Sequence, residues 1–139
     1  MRYLVRRAVL AAALSVGVVA ATATVAAPAS AARRLAAWEC PSGNVCVWTG
    51  PYGTGSRCLW SDADNDWQAS PITCSWSGSQ PVRSIFNNGT SSRYAGVALY
   101  RASGYQNFYW CVSQGTLRND ENVYLRSHRW VVSATGCVA

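Results

Sequence analysis

Cys40-Pro41-Ser42-Gly43-Asn44-Val45-Cys46-Val47-Trp48-Thr49-Gly50-Pro51-Tyr52-Gly53-Thr54-Gly55 decides how the rest of the chain is read. Two cysteines enclose a Pro-Ser-Gly-Asn sequence, where proline restricts the backbone and glycine frees it, as a tight turn requires. Val45, Cys46, Val47 and Trp48 then have the β-branched and aromatic character of a strand. A second cluster, rich in glycine, proline and tyrosine, closes the unit as another turn. The stretch is thus a stapled turn, a strand and a glycine-shaped turn, and the sequence after it repeats that style.

Toward the N-terminus the style is different. Arg2, Arg6 and Arg7 precede an apolar run from Ala8 to about Ala21, and small residues follow, with Ala29-Ser30-Ala31 and Ser30-Ala31-Ala32 as cleavage sites. Basic start, apolar middle and small-residue exit are the pattern of a secretory signal peptide. Residues 1–32 are therefore expected to be removed, 33–39 to form a mobile arm, and 40–139 to fold as one exported domain. No later segment reaches transmembrane length, so no membrane contact is expected after cleavage. From Arg33 onward, nine arginines and no lysine face six acids, a net +3 within the +6 of the full chain. The surplus is scattered, and nucleic-acid binding needs a clustered basic face.

All six cysteines, at 40, 46, 58, 74, 111 and 137, lie in the exported part. An even count there implies three disulfides, with fifteen connectivities open. Local closure favours Cys40–Cys46, Cys58–Cys74 and Cys111–Cys137. Loops of these sizes are worth roughly 2–4 kcal/mol each in the chain-entropy model, so reduction is expected to unfold the domain.

Working outward, Arg57–Trp60 reads as a second strand, Ser61–Asp66 as an acidic loop, and Trp67–Gln80 as turn-rich chain around Pro71 and Cys74. Pro81–Phe86 is a strand that Asn87-Asn88-Gly89 is expected to end in a hairpin turn. Tyr94–Arg101, Phe108–Val112, Val123–Arg126 and Arg129–Val132 are further strands, with a turn at Ser103-Gly104-Tyr105. Many short strands between turn signals predict an all-β sandwich or barrel. Two stretches share a plan. Val45–Trp48 with Tyr52-Gly53-Thr54-Gly55, and Val97–Tyr100 with Gly104-Tyr105, each run on to a serine, Ser84 and Ser127. Glycine allows the folded-over hairpin, and a serine hydroxyl can satisfy backbone groups there. The plan is similar to a Greek-key repeat of βγ-crystallin type.

Cys40–Cys46 with its Pro-Ser-Gly-Asn-Val interior, Trp48-Thr49-Gly50 and Val82-Arg83-Ser84-Ile85-Phe86-Asn87-Asn88-Gly89-Thr90 resemble the secreted bacterial metalloproteinase inhibitors of peptidase inhibitor family I36, over about residues 38–137. The resemblance implies a βγ-crystallin-like Greek-key sandwich that inhibits thermolysin-like extracellular zinc proteases by presenting a rigid, substrate-like loop. In the family the reactive bond is a Cys-Val bond in the second half, and the match here is Cys111-Val112, the expected inhibitory loop. Thermolysin-like proteases prefer an apolar residue after the scissile bond, a part for Val112. The family's loop is closed by a second cysteine a few residues on, and Ser113-Gln114-Gly115-Thr116 has none. The same two residues also read as core strand, with Cys111 paired to Cys137 and Val112 as packing.

No metal or cofactor is expected. The crystallin calcium pattern is not met before Ser84, where Ser79 and Gln80 stand, and Asn119-Asp120 is too far ahead of Ser127. Asp62, Asp64 and Asp66 alternate as in an EF-hand, but Trp67 and Thr73 stand where glycine and glutamate are needed. His128, flanked by Arg126 and Arg129, reads as a surface residue rather than a base, and paired cysteines leave no thiol nucleophile. The chain is expected to be a monomer and not an enzyme. Seven tryptophans exceed what a core this size needs. They keep a second class in view, a crystallin-like binding module or killer-toxin-like protein that uses exposed aromatics at cell surfaces.

Overall fold

The computed structural model describes residues 38–132. The expected signal peptide, most of the N-terminal arm and Cys137 lie outside the described residues. The strands are β1 (Asn44–Trp48), β2 (Arg57–Trp60), β3 (Val82–Asn88), β4 (Gly96–Ala102), β5 (Gln106–Ser113), β6 (Leu117–Val123) and β7 (Ser127–Val131), with a 3-10 turn at Pro51–Gly53. They form two antiparallel sheets, in the orders β2-β1-β3-β6 and β5-β4-β7. The all-β expectation holds.

The opening stretch folds as its residues dictate. Cys40 and Cys46 are bonded across the turn, where Gly43 has φ 85°. The second bond, Cys58–Cys74, ties β2 to the chain beyond the acidic loop. No described cysteine is free; the expected Cys111–Cys137 pair reaches outside the described residues. In the glycine-shaped turn, Tyr52 and Gly53 take φ 55° and 71°, and in the later Gly-Tyr turn Gly104 and Tyr105 take 64° and 59°. Each serine serves its turn as expected. Ser84 Oγ accepts from the Gly53 N–H at 2.9 Å and donates to the Gly50 carbonyl at 2.8 Å. Ser127 Oγ accepts from the Tyr105 N–H at 3.2 Å and donates to the Ala102 carbonyl at 2.6 Å.

Exchange of segments joins the two sheets. β6 follows β5 and precedes β7 in sequence, yet it pairs with β3 in the first sheet. In return Asp64, from the chain after β2, bridges to His128 of β7 in the second sheet. One apolar core draws on both sheets: Val45, Val47, Val82, Ile85 and Val123 from the first meet Val97, Leu99 and Val112 from the second. Trp60, Trp67, Cys74, Trp76 and Leu125 complete it. Ala98, Tyr100 and Val131 form a second cluster, against which Tyr105, Phe108 and Cys111 pack.

Three expectations need correcting. Asn87-Asn88-Gly89 is not a hairpin turn, because β3 pairs with β1 and β6 while β4 belongs to the other sheet. Asn87 is instead a buried connector: its Nδ2 donates to the Val112 carbonyl at 2.7 Å and its Oδ1 accepts from the Gly89 N–H at 2.9 Å. The strand expected at Val123–Arg126 is displaced, since β6 occupies the polar stretch Leu117–Val123. Its buried contribution comes from Glu121 and Val123 only, so an apolar alternation is not there to be seen. His128 is buried, not a surface residue.

Candidate functional site

Cys111 and Val112 lie near the end of β5, opposite Ala98 and Val97 of β4. Val112 is in the main core, at 1% exposure, whereas Trp110, two residues earlier on the same face of the strand, is 48% exposed. The Val112 carbonyl is taken by Asn87. The turn that follows, Ser113–Thr116, is closed by a bond from the Thr116 N–H to the Ser113 carbonyl at 3.2 Å. The large apolar side chains exposed beside Cys111-Val112 are Trp110 and, across the turn, Leu117. The Arg118 guanidinium lies over the Trp110 ring, 4.8 Å from its centroid, and pairs with the buried Glu121 carboxylate at 2.6 Å. The Tyr109 hydroxyl also donates to Glu121, and burial followed by that carboxylate holds the phenol above its ordinary pKa.

A second segment stands out, in chain that the sequence marked only as turn-rich. Residues 68–73, Gln-Ala-Ser-Pro-Ile-Thr, are all exposed and lie between two buried residues, Trp67 and Cys74. The Cys74 N–H donates to the Trp67 carbonyl at 2.6 Å, which closes the neck of the loop. Within it Ala69 N–H donates to the Asp66 carbonyl at 2.9 Å, and the Thr73 hydroxyl to the Ala69 carbonyl at 3.3 Å. Ile72, at 43% exposure, is its large apolar side chain.

The neck is anchored from several directions. Cys74 is bonded to Cys58 of β2. Trp67 stacks on Trp60, centroids 4.5 Å apart at 25°, and its Nε1–H donates to Nδ1 of His128 at 2.8 Å. His128 Nε2 lies 2.9 Å from the Asp62 carbonyl. One neutral tautomer, protonated on Nε2, satisfies both contacts. Burial pushes the His128 pKa down from 6.5 to about 4, so near neutral pH the ring is uncharged and serves as a strut. Backbone bonds run both ways between Asp64 and His128, at 3.0 and 2.8 Å, and Gly104 N–H donates to the Asn65 carbonyl at 2.7 Å.

The three acids that alternate before this loop do not converge. Asp62 accepts from Ser61, Asp64 from the Asp66 N–H, and Asp66 takes the Arg126 guanidinium at 2.6 and 3.1 Å. The hydrogen bond from Arg126 holds the Asp66 carboxyl below its ordinary pKa. They are turn-forming and pairing groups; no cluster of three potential metal-binding side chains occurs among the described residues. Of the tryptophans, Trp48, Trp60, Trp67 and Trp76 are buried, and Trp110 alone among the described ones is largely exposed. Excess tryptophan is thus used mainly inside, and sequence reasoning missed the loop that two of them support. The signal for it was the placing of Trp67 and Cys74 on either side of a six-residue stretch that contains Pro71-Ile72.

No curated protein matches the chain. The model of peptidase inhibitor family I36 matches residues 33–112, a span running from the arm through the stapled opening and the 68–73 loop to Val112. That is more than half of the 139 residues, and the chain belongs to peptidase inhibitor family I36.

Proposed function

We propose that the protein is a secreted, monomeric inhibitor of thermolysin-like extracellular metalloproteases, that it is not itself an enzyme, and that it works by filling the protease cleft with a preorganised segment. Family membership carries the inhibitory reading. The physical support is a body held by two interlocked sheets and short-range disulfides, on which exposed segments lose little conformational freedom when they dock. We read the fold as a crystallin-like Greek key. The exchange of β6 into the first sheet, the Asp64–His128 bridge into the second, and the matched pair of serine-held turns support that reading.

Cys111-Val112, the reactive bond implied by the family resemblance, enters the proposal with a condition. With Val112 in the core and its carbonyl on Asn87, a protease could take Val112 only by peeling the end of β5 away from β4 and β3. Without that opening, a protease approaching here meets Trp110, Leu117 and Arg118.

Titration of the oxidatively folded protein against thermolysin, with subtilisin in parallel, tests the function. Stoichiometric loss of thermolysin activity with subtilisin spared is the expected result. Inhibition of subtilisin alone would transfer the reading to serine proteases. Inhibition of neither would leave the fold standing and favour the binding-module class.

A further inference from the structure

We infer that the 68–73 loop is a protease-contact loop and that Ile72 is the side chain it delivers to the apolar specificity pocket of the protease. The inference rests on the inhibitor reading above and specifies where on the molecule inhibition is exerted.

Three properties of a protease-contact loop coincide there. Accessibility comes first: six consecutive residues are exposed, so a cleft can close around the backbone without disturbing a strand. Rigidity comes second. Both ends of the loop are core residues, its neck is closed by the Cys74–Trp67 backbone bond, and the Cys58–Cys74 disulfide binds that neck to β2. Such pre-ordering is what separates a tight inhibitor from a flexible substrate, because the ordering entropy has already been lost on folding. Third is chemistry. Ile72 is a branched apolar side chain left 43% exposed between Pro71 and Thr73, and a thermolysin-like pocket selects an apolar residue of this size.

Trp110, Tyr52 and Val112 satisfy fewer of these conditions. Trp110 sits within a paired strand and has Arg118 over its face. Tyr52 is on a short turn whose backbone N–H is held by Asn119. Val112 is buried.

The test compares inhibition of thermolysin by the oxidised wild-type protein with that of Ile72→Asp, Ile72→Val and Trp110→Ala, with thermal unfolding measured for each. Ile72 is 43% exposed and lines a crevice with Trp60, Asp62 and Asp64. Ile72→Val is therefore expected to unfold within about two degrees of wild type and Ile72→Asp somewhat lower, with inhibition compared at a temperature where every variant is fully folded. Ile72→Asp is expected to raise the inhibition constant at least 100-fold, while Ile72→Val and Trp110→Ala stay within about fivefold. Wild-type-like inhibition by Ile72→Asp would overturn the inference while leaving the inhibitor reading intact. Loss in Trp110→Ala with Ile72→Asp unaffected would move the contact to the surface around the β5–β6 turn. A wild-type protein that inhibits no protease would overturn the inhibitor reading and this inference with it.

Discussion

Ser84 and Ser127 show how single side chains fix a backbone shape. Each hydroxyl bridges a donor and an acceptor at the turn of its own half, and without it a part-buried N–H and carbonyl face each other across a gap of methyl size. Leaving such groups unpaired costs about 1–3 kcal/mol. Ser84→Ala and Ser127→Ala are each expected to destabilise by that amount in urea unfolding, with the larger effect at Ser84, whose bond to Gly53 is buried. A change below about 0.5 kcal/mol at both positions would show that water replaces the hydroxyl. These serines were legible in the sequence because their role is local: a Gly-Tyr turn and a later serine recur in each half. His128 was not legible in that way. Its arginine neighbours in sequence suggested solvent, yet strand alternation sends the imidazole inward, to partners about sixty residues away in sequence.

At the scale of elements, disulfide geometry and loop anchoring determine what can be presented. The Cys58–Cys74 bond spans a sequence separation of 16, and a loop of that length is worth about 3 kcal/mol in the chain-entropy model. Replacing both cysteines by serine is therefore expected to lower stability by about that amount. It is also expected to weaken protease inhibition, because the neck of the 68–73 loop loses its covalent tie to β2. Amide exchange would separate the two effects: faster exchange at Cys74→Ser and its neighbours, with β1 and β3 amides still protected, marks a loosened loop on an intact body. Uniform loss of protection would mean that the bond sustains the whole fold. Elements differed in how far sequence revealed them. β1, β2 and β3 were visible because β-branched and aromatic residues coincide with turn signals. β6 was hidden because an edge strand with two buried side chains, one of them a charged Glu121, carries no apolar alternation. The hairpin expected at Asn87-Asn88-Gly89 failed for a related reason. Asn-Gly encodes a permissive backbone, while which sheet the following strand joins is decided by the core.

For the whole molecule, acid stability follows from the strut that joins the two sheets. His128 is buried and uncharged in the folded protein, between the Trp67 indole and the Asp62 carbonyl, with Trp60 5.0 Å away centroid to centroid. Its folded pKa of about 4 lies below the ordinary 6.5, so the unfolded chain binds a proton more readily and acid favours unfolding. The stabilisation is complete above pH 6.5, falls as pH drops toward 4, and is constant below that. The difference corresponds to about 3 kcal/mol. Protonation would also place a hydrogen on Nδ1 facing the Trp67 N–H, two donors opposed, and so strike the neck of the 68–73 loop directly. Asp66, held below its ordinary 3.8 by Arg126, acts in the same direction at lower pH, but its exposure to solvent makes the contribution small. Urea unfolding at pH 7.5, 5.5 and 4 should show the midpoint falling with the slope of about one proton between 6 and 4.5. A flat profile across that range would mean that His128 meets water or another acceptor before it can charge. If inhibition and stability decline together on acidification, the neck opens with the global unfolding of the molecule. If inhibition is lost first, the histidine governs the loop before it governs the fold.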